Sequence, residues 1–187
     1  MKILSKIILL IAIVVNISFG QDKIDDEWKI KFETSGYIST SDYNATMDYF
    51  QRLADASNFS ELFSFGVSPQ GRELKFISVS KDKTFNEDGI KSPNKPLLLI
   101  INGIHSGEIE GKDASMLLLR EILITKEKEY LLDSLNILIV PIFSVDAHER
   151  TSKFNRINQN GPEEMGWRTT AQNYNLNRDW LKADALE

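Results

Sequence analysis

Two continuous apolar runs, Leu97-Leu98-Leu99-Ile100-Ile101-Asn102 and Asn136-Ile137-Leu138-Ile139-Val140-Pro141-Ile142, constrain this chain more than any other feature. Neither alternates polar with apolar residues. That is the pattern of a strand covered on both faces, so both are expected inside a sheet, the first of them centrally. Between them Ile109, Leu117, Leu118, Ile122 and Leu123 recur among charged residues from Glu108 to about Thr125, the stripe of an amphipathic helix. Strand, helix, strand in this order implies a right-handed crossover between parallel strands. The expected fold is therefore α/β, with a mixed, largely parallel central sheet flanked by helices. Upstream, Ser41 or Asp42 can cap a helix from about Tyr43 to Ala56, with Met47, Phe50, Leu53 and Ala54 at helical spacing. Glu61 to Val67 and Glu73 to Ser80 read as two strands joined by the turn Ser68-Pro69-Gln70-Gly71-Arg72, an antiparallel hairpin. Pro93 and Pro96 bracket a break before the first apolar run.

Composition narrows the function. The chain has 187 residues, 42% of them hydrophobic, with no repeat or low-complexity tract, which suits one globular domain. With 27 Asp and Glu against 22 Lys and Arg, the net charge of −5 argues against a general nucleic-acid binder, which needs clustered cations for phosphates. Absence of Cys excludes disulfides, thiol nucleophiles and Cys-ligated zinc. A metal would have to be held by carboxylates and by the two histidines, His105 and His148. Residues 1–20 read as a secretory signal peptide: Lys2 and Lys6 lead into the apolar stretch Ile7 to Val15, and small Ser18 and Gly20 precede a cut before Gln21. The alternative is an uncleaved N-terminal anchor. Cleavage implies a secreted or periplasmic protein with no stable membrane span, because the apolar run is short for a bilayer. Residues 21–40 form a polar lead-in segment, and 41–187 the main domain.

Ligands of open α/β sheets gather outside the carboxyl ends of the strands, and both concentrations of polar chemistry lie there. The first is Asn102-Gly103-Ile104-His105-Ser106-Gly107-Glu108. Imidazole nitrogen and carboxylate oxygen three positions apart can share a catalytic zinc, with Gly103 and Gly107 letting the backbone bend around it. Equally, Glu108 could be a helix N-terminal charge favoured by the macrodipole, with His105 an ordinary loop residue. The second runs from Ser144 to Trp180 and holds Asp146, His148, Arg150, Arg156, Gly166-Trp167-Arg168-Thr169-Thr170 and Asn175-Leu176-Asn177-Arg178. An Asn-Arg pair suits a terminal carboxylate, since the guanidinium binds it through two parallel hydrogen bonds. Any one of these arginines could instead sit on a solvated loop and pair with Glu163 or Glu164.

Taken in order, the buried strand, N-G-x-H-S-G-E, helix, second buried strand, W-R-x-T and N-x-N-R segments resemble the zinc carboxypeptidases of the carboxypeptidase A/B type. The resemblance covers roughly Ser41 to Trp180 and includes the Ser68 to Leu74 turn. It implies that His105 and Glu108 are two ligands of a single Zn2+, that Arg168 polarises the scissile carbonyl, and that Asn177 and Arg178 hold a substrate's C-terminal carboxylate. Its partner would be a peptide with a free C-terminus, and its activity proteolysis by removal of C-terminal residues. Three departures stand out. Asn175 occupies the position where the family usually has an Asp that accepts a hydrogen bond from the first zinc-binding His. Ser144-Val145-Asp146-Ala147 replaces the family's N-P-D-G. The family's third zinc ligand, gating Tyr and catalytic Glu come later in its chains than Glu187, so the sequence is expected to be the N-terminal portion of a longer enzyme, inactive alone. His148, the only His after Glu108, matches a position beside N-P-D-G and is expected either to support a metal ligand from behind or to lie at the surface. Three other outcomes are a zinc amidohydrolase or deacylase of the same fold, a non-catalytic peptide-binding domain, and a non-functional fragment whose uncovered strand edges make it prone to aggregate.

Overall fold

The computed structural model describes residues 24–83 and 95–187. The signal peptide expected over 1–20 and the break expected at Pro93 lie outside them. A short 3-10 turn at Asp26–Trp28 precedes α1 (Lys31–Thr34), α2 (Tyr43–Asp55), β1 (Ser60–Val67), β2 (Glu73–Val79), β3 (Leu97–Ile101), α3 (Glu110–Leu123), β4 (Asn136–Val140) and α4 (Val145–Glu149). Further 3-10 turns span Glu129–Asp133 and Leu176–Arg178.

Local chemistry explains where the elements start. Asp42 caps α2, its side chain accepting from the amide of Ala45 at 2.8 Å, and satisfies a donor that the first helical turn leaves open. The hairpin β1–β2 pairs antiparallel from Ser60↔Val79 to Val67↔Glu73, with a register shift between Ser64 and Gly66. Its turn bends at Gly71, φ +83°, a conformation that costs glycine little. Helix α3 begins two residues later than the apolar stripe suggests, because the amide of Glu108 bonds the His105 carbonyl at 2.8 Å and closes a separate turn first.

The sheet order is β1-β2-β4-β3, with β2–β4 antiparallel and β3–β4 parallel. The mixed α/β sheet is as expected, but among the described strands the parallel share narrows to that one pairing. The second apolar run, β4, is central and buried. The first is not: β3 lies at the sheet's edge, and Leu97, Leu98 and Leu99 are 43%, 44% and 53% exposed. A run without alternation says that both faces call for cover but not what supplies it. Here one edge of β3 is unpaired among the described residues.

One apolar cluster holds the layers together: Phe50 and Leu53 of α2, Ile77 and Val79 of β2, Met116, Leu119 and Ile122 of α3, and Ile137 and Ile139 of β4. The lead-in segment is tied to it. Ile30 is buried in the cluster, and Arg120 of α3 makes a two-pronged contact with Glu33, 2.6 and 3.0 Å. On the other side of the hairpin turn, buried Asp146 of α4 accepts from Ser68 Oγ, the Gln70 amide and Arg72 Nη1 at 2.8, 3.0 and 2.8 Å. The residue that stands in a loose match to N-P-D-G thus fixes the Ser68 to Arg72 turn.

Candidate metal centre

The parallel pair positions the site. The chain leaves β3 at Asn102, whose amide bonds the Val140 carbonyl and whose carbonyl accepts from the Phe143 amide, 3.0 and 2.8 Å. Gly103, φ +62°, then turns the backbone so that its carbonyl accepts from the Ser144 amide at 3.1 Å. The loops that follow β3 and β4 are therefore zipped together, and His105 is carried into a position where it is only 5% exposed.

Both ring nitrogens of His105 have neighbours. Nε2 lies 3.0 Å from Asn175 Oδ1, and that oxygen also accepts from the Asn177 amide at 3.2 Å. An oxygen already accepting an N–H is an acceptor for the imidazole too, so Nε2 carries the proton of the neutral ring and Nδ1 presents its lone pair. Nδ1 faces Glu108 Oε1 at 3.3 Å. In that tautomer two acceptors face each other, an arrangement that calls for a cation between them. Two donors at ~2.0–2.2 Å from a tetrahedral zinc lie roughly 3.4 Å apart, so the pair fits the ion in donor type and in spacing. Asn175 supplies the partner on the far nitrogen that metal-binding histidines usually have.

Glu108 is surrounded by cations. Arg156 Nη2 donates to Oε1 at 2.7 Å, and Arg168 Nη1 is 3.8 Å from the same oxygen. Burial raises the Glu108 carboxyl, but the hydrogen bond and the charge of Arg156, joined by His105 whenever its ring is protonated, outweigh it and hold the group below its ordinary value. The carboxylate is ionised and available as a ligand at neutral pH.

Of the residues singled out in sequence, His105, Glu108, Arg168 and Asn175 come together. Asn177 and Arg178 sit on the adjoining 3-10 turn but are exposed, and Arg178 Nη1 bonds the Asn177 carbonyl at 2.9 Å instead of facing the pair. His148 is elsewhere. It is buried, its Nδ1 2.7 Å from Glu149 and its Nε2 3.3 Å from Lys112. A surface role for it is thereby corrected: α4 turns it inward, onto a buried lysine that sequence spacing does not reveal. Among the described residues neither Glu163 nor Glu164 is paired with an arginine, and Arg150 stacks over Trp167 at 4.7 Å. Gly107 also serves differently from expectation. It has no positive φ, and a Cβ there would stand 2.7 Å from Arg156 Cγ and 2.9 Å from the Gly166 carbonyl. Its role is close approach. Arg156 is the site residue that sequence reasoning left unassigned, since nothing local to Asn155-Arg156 signals a partner 48 positions earlier.

Among the described residues no group of three or more His, Cys, Asp or Glu could hold a metal. A catalytic zinc takes three protein ligands and an open position, so His105 and Glu108 fit as two of three.

A family model described as zinc carboxypeptidase matches residues 46–185. No curated protein matches the chain. Among solved structures, the carboxypeptidase A from Helicoverpa armigera has a TM-score of 0.55 at 18% identity, covering 90% of this chain and 36% of that one. A metallo-carboxypeptidase from Burkholderia cenocepacia gives 0.55 at 18%, covering 76% and 34%. Bovine thrombin-activatable fibrinolysis inhibitor, solved in complex with tick carboxypeptidase inhibitor, gives 0.51 at 18%, covering 72% and 38%. At these identities the likeness is one of fold, and the chain spans about a third of the length of these structures.

Proposed function

Because the chain belongs to the zinc carboxypeptidase family, we propose that residues 41–187 form part of the catalytic domain of a zinc metallocarboxypeptidase that removes C-terminal residues from peptides. The observation that carries this reading is the opposition of His105 Nδ1 and Glu108 Oε1 at 3.3 Å, with Nε2 engaged by Asn175. A bound zinc would lower the pKa of a water and polarise the scissile carbonyl.

The chain's own residues then divide the remaining work. Asn175 keeps the His105 ring oriented, with the proton on the nitrogen away from the ion. An amide does this without placing the charge of an Asp behind the ring. Arg168, half exposed beside Glu108, can swing over a substrate and donate to the oxygen that gains charge in the transition state. Asn177 and Arg178 are exposed and unpaired with acids among the described residues, which leaves them free to take a chain-terminal carboxylate. That would restrict cleavage to the end of a peptide. With two donors and no third among the described residues, this stretch is proposed to be inactive by itself. The N-terminal pattern at 1–20 supports export, and among the described residues no helix is long and apolar enough to cross a membrane.

The test is zinc content of the wild type and of His105→Ala with Glu108→Gln, together with hydrolysis of blocked peptides bearing free or amidated C-termini by the gene's full reading frame. The reading expects zinc in the wild type alone, and cleavage only of free C-termini. Equal zinc in both proteins sinks the metal assignment; equal cleavage of amidated peptides sinks the assignment of Asn177 and Arg178.

A further inference from the structure

Resting on the reading that His105 and Glu108 share a divalent ion, we propose that Arg156 is a positioning residue for the carboxylate ligand, held over Glu108 with its stem packed against Gly107. The Arg156 side chain is 6% exposed, whereas Glu108 is 42% exposed. A half-exposed glutamate samples several rotamers, and each one that points Oε1 away from His105 dismantles the donor pair. The 2.7 Å bond from Arg156 Nη2 to Oε1 selects the rotamer in which that oxygen faces Nδ1.

Two observations argue that this arginine is placed for Glu108 and not for general stability. First, its Nη1 is buried without a hydrogen-bond partner. A guanidinium serving only to tie loops together would be expected to have its donors satisfied, because an unpaired buried donor costs free energy. Second, its stem needs the space that Gly107 leaves, and Gly166 lets the loop that carries Gly107 pack close. A Cβ at Gly107 would lie 2.7 and 3.1 Å from Arg156 Cγ and Cδ, and a Cβ at Gly166 would lie 2.8 Å from the Ser106 carbonyl oxygen and 3.0 Å from that of Ala147. Any side chain at either position would displace the loop or the arginine. The glycine within H-S-G-E thus makes room for a residue that arrives from the loop beyond β4.

The charge of Arg156 also repels a divalent ion, so the two effects oppose each other in a binding measurement. Repulsion alone predicts tighter metal binding when the charge is removed. Loss of a hydrogen-bonded partner to a ligating group typically weakens binding 10–100-fold. The experiment compares wild type, Arg156→Met, Arg156→Lys and His105→Ala, reading zinc affinity by competition with a chromogenic chelator and the visible absorption of the cobalt-substituted proteins. Arg156→Met is expected to bind zinc on the order of 10–100-fold more weakly and to change the cobalt bands. Arg156→Lys, which keeps the charge and loses the planar fork, is expected in between. Unchanged or tighter binding by Arg156→Met, with binding lost in His105→Ala, overturns this inference and leaves the metal site standing. Wild-type affinity in His105→Ala overturns the metal site and this inference with it. Should Arg156→Met fail to fold by circular dichroism, Arg156→Lys decides, and affinity equal to wild type refutes the proposal.

Discussion

Lys112 on α3 is 2% exposed, and its ammonium donates to the Ser41 carbonyl and lies 3.3 Å from His148 Nε2. Asp113, 4.0 Å away, and Glu149, bonded to His148, are the nearest acids. Burial pulls the lysine down from 10.5 to about 8, against the opposing influence of Asp113, Glu149 and Asp42. The consequence for stability follows from proton counting. Between about pH 8 and 10.5 the unfolded chain holds a proton that the folded chain has lost, so stability rises with pH across that window. Below pH 8 both states are protonated and the gain is absent. A shift of this size makes the protein roughly 2 kcal/mol more stable at pH 9.5 than at pH 7. Tyr49, pushed by burial up to about 12, works in the opposite sense above pH 10, so the comparison stops at pH 9.5. Urea unfolding at fixed ionic strength from pH 7 to 9.5, for wild type and Lys112→Met, measures the effect, and the difference between the two slopes cancels contributions from other groups. The wild-type curve should climb by roughly 2 kcal/mol relative to the variant. Parallel curves would refute the claim that this buried lysine titrates near 8.

Asp146→Ala removes the buried acceptor shared by Ser68, Gln70 and Arg72 and leaves the partly exposed arginine with only Gln70, so it should lower unfolding stability by about 2 kcal/mol; a urea midpoint within error of wild type would contradict that. Gly71→Ala places a side chain at φ +83° with nothing within 4 Å, so strain alone should cost ~1 kcal/mol, read as a fall in Tm of several degrees. Leu99→Lys puts a charge on the exposed edge strand and should reduce concentration-dependent association in light scattering; identical scattering would show that β3 is not the adhesive edge.

Much of the fold was legible in the chain because it depends on short-range rules. Asp42 capping α2, the Ser68 to Arg72 turn and the buried β4 run each express a preference that the residues carry wherever they are put. The proposed metal pair was equally local, since three positions on one turn suffice to bring His105 and Glu108 to one side. Sequence by itself determined α2, the β1–β2 hairpin, β3, α3 and β4, their order, and which imidazole and carboxylate could meet. Tertiary structure alone decided that β3 is an edge, that His148 turns inward onto Lys112, and that Arg156 crosses 48 positions to clamp Glu108, whereas the contact of Asn175 with His105 was expected from the resemblance. The physical reason is that periodicity reports what a residue requires, a covered face or a partner, whereas the identity of the partner depends on how distant segments pack.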